Sequence, residues 1–267
     1  MSKLMGMTTL QGHHGAWHSR PLIKPFRVVV SGGGIWNSGL VTNCFIYNNS
    51  CQAVAGSVFF PASATALGGG IYNSSGTVIN SVIYGNSASA GAMGSSFACG
   101  GGIYNHGGKI INCTIYGNTM SALNALNGGG VYNEQGKGGH ITNCIAWGNS
   151  PDNIYGENSN YCYCDNPLFV NTAGDISTWD FRLKPESLCI DTGTSVGAPE
   201  VDIPGISKPQ GFGFDIGAYE LQGPFVNLIA GYILGKGDLK PEEKSIADVN
   251  QDGVIDVADI VKLISNK

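Results

Sequence analysis

Six residues near the C-terminus have the types and spacing to hold a metal ion. Asp248, Asn250, Asp252, Val254, Asp256 and Asp259 stand at positions 1, 3, 5, 7, 9 and 12 of a twelve-residue stretch, with Gly253 at position 6. Ca2+ takes roughly six to eight oxygen ligands. This spacing offers side-chain oxygens from Asp248, Asn250 and Asp252, a main-chain carbonyl from Val254, and a direct or water-relayed carboxylate from Asp256. Gly253 allows the sharp turn that folds such a loop onto its ion. Asp259 stands where a longer Glu is usual, one carbon short of it. The cofactor this pattern implies is Ca2+.

A second set of residues could meet a sugar. Trp36, Tyr72, Tyr104 and Tyr132 occupy one position of a repeated hexapeptide, so they could form an aromatic ladder that stacks on sugar rings. The plainer reading, and the preferred one, is that they are packing residues of the fold. Carboxylates are scarcer. A calcium-dependent lyase needs an acidic cluster and an Arg or Lys base, and an inverting hydrolase needs two or three close carboxylates. No Asp, Glu, Lys or Arg occurs between Val28 and Gly108, and Lys109 is the sole charge up to Asn133. Acids gather later, as Asp165, Asp175, Asp180, Asp191, Asp202 and Asp215. There they read as the hydrogen-bonded polar finish that the end coils of a solenoid need; catalysis would require them to converge, or residues upstream of Met1 to supply it.

Repetition defines the elements that must carry these residues. Gly32–Gly33–Gly34–Ile35–Trp36–Asn37 returns at Gly68, Gly100 and Gly128, each time ending in an aromatic residue and Asn. A second mark follows each: Val41-Thr42-Asn43-Cys44, Val78-Ile79-Asn80-Ser81, Ile110-Ile111-Asn112-Cys113 and Ile141-Thr142-Asn143-Cys144. Apolar positions two before and one after the shared Asn break simple alternation. A bend at Asn43, Asn80, Asn112 and Asn143 restores it, because Asn tolerates left-handed geometry. The pattern predicts an all-β fold, a right-handed parallel β-helix over about residues 30–221. Its turns should carry one asparagine ladder at the bend and another at Asn49, Asn86, Asn118 and Asn149. The Gly triplets mark tight turns or places where a side chain would clash. Cys51 to Leu67, Ser87 to Cys99 and Thr119 to Asn127 read as mobile loops leaving the coils. Cys44, Cys113 and Cys144 read as a stacked thiol column, while Cys162, Cys164 and Cys189 could include one bridge.

Residues 1–29 show no such pattern and read as a poorly ordered lead-in, or as the broken edge of a longer protein with its secretion signal upstream. A formal net charge of −5 in 267 residues argues against a nucleic-acid partner, and no segment has the roughly 18 to 20 consecutive apolar residues of a transmembrane helix. Residues 222–267 change character. Val226 to Leu234 predicts an amphipathic helix stopped by Gly235, and Lys240-Pro241-Glu242-Glu243-Lys244 a connector. Beyond the loop, Ile255 should pack inward, with Ile260, Leu263 and Ile264 as the apolar face of an exit helix.

Two resemblances add to this reading. The run Asp165-Asn166-Pro167-Leu168-Phe169, then Ser187-Leu188-Cys189-Ile190-Asp191-Thr192-Gly193, then Asp215-Ile216-Gly217-Ala218-Tyr219-Glu220 resembles the end of bacterial and archaeal secreted or surface β-helix proteins. That resemblance implies an extracellular or cell-surface location; some related, pectate-lyase-like solenoids are polysaccharide lyases or hydrolases. The stretch from Asn227 to Ile264 resembles a type I dockerin, an EF-hand-like calcium module that binds a cohesin on a scaffold or cell surface. The first calcium loop of that family is replaced here by Glu220-Leu221-Gln222-Gly223-Pro224. Its partner-choosing positions fall on Val257 and Ala258. Together these imply a non-catalytic surface protein in contact with polysaccharide, docked through calcium to a cohesin-like or cell-surface partner. The alternative is a polysaccharide lyase or glycoside hydrolase component carrying a dockerin-like tag.

Overall fold

A computed structural model describes residues 2–4, 26–56, 62–123, 125–211, 213–221, 224–239, 244 and 247–265. Its main body is a parallel β-solenoid. Five short strands make each full coil, and every strand pairs in parallel with its counterpart one coil away. The repeated hexapeptide builds one sheet: Ile35–Asn37, Ile71–Asn73, Ile103–Asn105, Val131–Asn133 and Ile154–Tyr155. Like residues sit side by side in it, with Trp36 against Tyr72, Tyr72 against Tyr104 and Tyr104 against Tyr132. This is called the Tyr104 sheet below. A second sheet, the Ile110 sheet, holds Leu40–Thr42, Thr77–Ile79, Lys109–Ile111, His140–Thr142 and Ser159–Asn160. The Ile115 sheet holds Ser2–Leu4, Cys44–Tyr47, Val82–Tyr84, Thr114–Tyr116 and Ile145–Trp147.

The bend between the Ile110 and Ile115 sheets is the asparagine. Asn43, Asn80, Asn112 and Asn143 have φ of 52°, 53°, 46° and 52°, the left-handed region that Asn enters more cheaply than most residues. That turn lets both flanking strands aim their apolar side chains at one core of Ile46, Ile71, Val78, Ile83, Ile103, Ile110, Ile115 and Ile141, with the Cys113 and Cys144 thiols among them. The glycine triplets fit the same geometry. A Cβ on Gly69 would meet the Gly101 carbonyl oxygen at 2.2 Å, and one on Gly68, at φ +73°, the Ile71 carbonyl oxygen at 2.1 Å. Backbone stacks on backbone here, and only glycine fits.

The asparagine columns run as amide-to-amide hydrogen bonds between coils. Each Nδ2 donates to the Oδ1 of the next residue from Asn49 to Asn86 (3.0 Å), Asn118 (2.9 Å), Asn149 (2.9 Å) and Asn153 (3.1 Å). A column the repeat comparison did not single out, Asn37–Asn73–Asn105–Asn133, is as regular, with all three bonds at 2.8 Å. The bend column is interrupted. Asn80 donates to Asn43 at 2.7 Å and Asn143 to Asn112 at 3.3 Å, but Asn112 turns its amide to the carbonyls of Asp215 and Gly217.

Three features correct the sequence reading. The three inter-repeat stretches are not loops. They form two further parallel sheets, Ser50–Ala55, Ser87–Ala92 and Thr119–Ser121 in one, and Phe26–Ser31, Ala62–Leu67, Ser95–Cys99 and Ala125–Asn127 in the other. Residues 57–61 and 124 lie outside the described residues. Buried small residues alternate with outward-facing ones in Ser50–Ala55 and Ala62–Leu67, a period of two, and the buried face is Cys51 with Ala53, Ala55, Ala62, Ala64, Ala66, Ala88, Ala90 and Ala98. Side chains this small let two sheets close together, so a low-hydrophobicity stretch still forms a core. Secondly, two pieces of the 1–29 stretch, Ser2–Leu4 and the start of Phe26–Ser31, are strands of these sheets, while residues 5–25 lie outside the described residues.

Thirdly, Tyr163 still pairs in parallel with Ile145, but residues 164–221 do not finish the stack as terminal coils. They run back along its side: Thr194 O accepts from Asn143 Nδ2, Asp215 O and Gly217 O from Asn112 Nδ2, and Val201 O from Asn80 Nδ2. This segment lays Phe169, Phe181, Leu183, Cys189, Ile203, Ile216 and Ala218 on the outer face of the Ile115 sheet. That strand is therefore covered on both faces, and Val82, Ile83 and Tyr84 are all buried. All eight cysteines are free, including Cys162, Cys164 and Cys189.

Beyond residue 221, two helices are described, α1 (Pro224–Ile233) and α2 (Val257–Ser265). Gly235 ends the first at φ +64°. Ile229, Leu239 and Ala247 are buried between them, with Ile255 and Ile260 packed alongside. The side chains of Val226, Leu228, Leu263 and Ile264, and the connector residues 240–243, lie outside the described residues.

Candidate functional site

On the outer face of the Tyr104 sheet the repeat places one aromatic ring per coil. Trp36, Tyr72, Tyr104, Tyr132 and Tyr155 stack in sequence, with centroids 6.1, 5.2, 5.2 and 5.2 Å apart and planes within 15° of parallel. Tyr155, in the shortened fifth coil, was not among the residues the hexapeptide picked out, because no Gly triplet precedes it. Rings stacked in this way turn their faces to one another. Tyr72, Tyr132 and Tyr155 are half-buried, Tyr104 is buried at 8% exposure, and of the two end rings, Trp36 and Tyr155, Trp36 is the exposed one at 59%. The structure thus brings Trp36, Tyr72, Tyr104 and Tyr132 together in one column, as the hexapeptide implied, with their ring faces turned to one another.

A polar cluster adjoins the column. The Tyr104 hydroxyl donates to Glu134 Oε2 at 2.5 Å, and His106 Nδ1 contacts the same oxygen. The His106 ring lies over Tyr72, centroids 6.4 Å apart. Burial pushes the Glu134 carboxyl up, but hydrogen bonds from Tyr104 and His106, with the charges of His106 and Lys137, outweigh it and hold the carboxyl below its ordinary value. Burial together with the bond to Glu134 pushes the Tyr104 phenol far up. Sequence reasoning passed over both His106 and Glu134, although a signal existed. They follow the repeat Asn in consecutive coils, where earlier coils carry Ser38 and Ser74.

The C-terminal loop is folded upon itself. Asp248 Oδ1 and Oδ2 accept from the main-chain N–H of Asp252 and Gly253 at 3.0 and 2.8 Å, and Asn250 Oδ1 from Asp252 N at 2.9 Å. Asp252 Oδ1 accepts from Val254 N at 2.9 Å. Asp256 accepts from Ala258 N at 2.7 Å and so caps α2. Asp259, fully buried, joins the two ends of the loop by accepting from Asn250 N at 3.1 Å and Asp256 N at 2.8 Å. Gly253, at φ +88°, makes the turn. The donor set is all oxygen, which suits a hard divalent cation. Among the described residues, however, no group of three or more His, Cys, Asp and Glu side chains is gathered as a metal cage. Val257 and Ala258 are exposed at the start of α2.

The acids between Asp165 and Asp215 are engaged with backbone. Asp165 accepts from Asn166 N, Asp175 caps the turn Ile176–Thr178, and Asp191 accepts from Gly213 N. Asp180 pairs with Arg182, whose guanidinium holds the carboxyl below its usual range. Asp202 and Asp215 are buried and each accepts two main-chain N–H groups. The stretch they occupy flanks the solenoid rather than ending it, and these bonds satisfy irregular backbone that has no strand partner.

No family model, curated protein or solved structure matches the chain. No helix among the described residues is long and apolar enough to cross a membrane.

Proposed function

We propose that this chain is an extracellular or cell-surface right-handed parallel β-helix protein that holds a polysaccharide on its Tyr104 sheet and is docked to a protein partner through its C-terminal segment. The observation that carries this reading is the uncovered aromatic column, with the exposed Trp36 face at one end and the Tyr104–Glu134–His106 cluster along it. Saccharides are bound by apolar ring faces together with planar polar groups, and Glu134 can accept hydrogen bonds from sugar hydroxyls while its low proton affinity keeps it ionised. The likeness of the Asp215–Glu220 run to secreted β-helix proteins supports the location.

The docking half of the proposal rests on the loop. Asp248, Asn250, Asp252, the Val254 carbonyl, Asp256 and Asp259 would hold Ca2+, which when bound supplies a charge that ties the loop to the head of α2. Val257 and Ala258, exposed beside it, are free to meet a cohesin-like partner.

Affinity electrophoresis of the full chain through gels containing neutral and acidic plant or microbial polysaccharides tests the first half. Retardation by at least one, lost in Trp36→Ala and in Glu134→Gln, is the expected result; equal mobility in every gel refutes it. For the second half, capture of the full chain by immobilised cohesins should depend on calcium and vanish in Asp248→Ala/Asp252→Ala. Calorimetry showing no calcium heat rejects it.

A further inference from the structure

The segment lying along the Ile115 sheet encloses an amine that has no hydrogen bond. Lys208 Nζ is wholly buried and lies 3.5 Å from Glu220 Oε2, whose side chain is also buried, yet among the described residues it makes no aligned hydrogen bond. Such a group is rare and calls for an explanation, because a buried ammonium normally takes partners for its three protons. Each neighbouring carboxylate is already occupied. Asp202 accepts from Ile206 N and Glu220 N, and Asp215 from Asp191 N and Leu221 N. Glu220 itself accepts from Gln210 N at 2.9 Å and from Asp215 N at 3.2 Å.

We propose that Lys208 and Glu220 condense into an intramolecular amide, a covalent cross-link made by the fold itself. In the step, the Lys208 nitrogen forms a bond to Glu220 Cδ, a Cδ–O bond breaks, and that oxygen leaves with one amine proton and the acid proton as water. No oxidant or cofactor enters the balance. The geometry supplies what the step needs. Nucleophile and carboxyl are held side by side out of water, which replaces an encounter in solution by one within the fold. The N–H groups of Gln210 and Asp215 point at the two carboxyl oxygens, so they can hold the negative charge of a tetrahedral intermediate. An open cavity of about 440 Å³ lined by Asp202, Tyr219, Glu220 and Leu221 gives the water a way out.

The protonation states run the same way. Burial pushes the Lys208 amine down, against the pull of Glu220, Asp215 and Asp202. Burial also pushes the Glu220 carboxyl up, and Asp215 up to about 7. A neutral amine beside a neutral acid is the reactive pair, and Asp215 is a group able to pass a proton at neutral pH. The product would also remove the unsatisfied amine.

Intact-mass measurement of the full chain, unfolded after purification, reads the outcome directly. The wild type should be lighter than its sequence by one water, and a digest should yield a branched peptide joining Lys208 to Glu220. Lys208→Arg should have the full sequence mass, and Asp215→Asn a smaller cross-linked fraction. Limited proteolysis keeps the comparison among folded proteins. A folded wild type at full sequence mass, with Lys208 open to amine labelling once denatured, overturns the proposal and leaves an ordinary buried ion pair.

Discussion

Two faces of the solenoid carry an aromatic column, and only one of them is covered. On the Ile115 sheet, Tyr47, Tyr84, Tyr116 and Trp147 align coil to coil. Rings of the returning segment meet them tilted or edge-on: Phe181 lies 5.0 Å from Tyr84 and 5.7 Å from Tyr116, and Trp179 5.3 Å from Tyr116. On the Tyr104 sheet the ring contacts among the described residues are with one another and with His106. The same sequence device, one aromatic per repeat, therefore serves two ends. Where the chain provides a cover, the column packs against a second core cluster; where it provides none, the column ends in the exposed Trp36 and keeps a partly exposed Glu134 beside it. Position in the repeat fixes where a ring points, and a distant segment decides whether it is free.

The largest effect should come from breaking the cover. Phe181 is 3% exposed, and Phe181→Ala should cost about 3–5 kcal/mol by chemical denaturation, against about 1 kcal/mol for the half-buried Tyr132→Ala. Equal losses would mean that the two columns are packed alike. Next in size is the amide ladder that runs beneath both faces. Asn118→Ala removes the acceptor of both the Asn86 main-chain N–H and its side-chain amide. The side-chain amide keeps the carbonyls of Ile46 and Tyr84, so leaving the one buried Asn86 N–H unpaired should cost about 1–3 kcal/mol, with faster hydrogen exchange at Asn86. A midpoint unchanged from wild type would remove the ladder from the account of stability.

A smaller effect distinguishes the open face by its response to acid. The folded-state value of Glu134 is depressed, so its contribution is present above the unfolded carboxyl value and is lost as pH falls through the folded one. Tyr104→Phe removes one donor and should raise that value, so that in thermal melts the loss is smaller and is complete at a higher pH. Glu134→Gln should show no such component. Smallest of all, Trp36→Ala should shift stability by no more than about 0.5 kcal/mol, as expected for an exposed side chain, while abolishing retardation by polysaccharide. Separation of stability from binding at this one residue would sharpen the contrast between the two columns.

The repeat architecture was legible because identical positions recur. Asn43, Asn80, Asn112 and Asn143 announced a bend, and each has the positive φ that a bend requires. The Ala-cored sheets escaped notice because alanine carries little hydrophobic signal, and their alternation with Ser and Thr resembles loop composition. The cover escaped for a different reason. Its contacts with the solenoid join residues as far apart as Asn80 and Val201, and no local pattern records a pairing at that distance. At the candidate site, the aromatic positions could be read from the hexapeptide. That their faces are consumed by mutual stacking could not, since it depends on the orientation of rings in adjacent coils. His106 and Glu134 were readable as departures from Ser at a repeated position, a comparison between coils rather than along the chain.

The interrupted bend column makes Asn112 a natural spectroscopic reporter. Its side-chain amide donates to Asp215 and Gly217 of the cover, while the Oδ1 of Asn80, one coil away, has no hydrogen-bond partner among the described residues. If the cover lifts, Asn112 can rotate to donate to Asn80 and complete the column, so one amide group has two bonding states tied to one large movement. Nitrogen-15 resonances of the Asn112 side chain should therefore switch between two positions as the cover detaches, while those of Asn118 in the neighbouring column remain fixed until the coils themselves unwind.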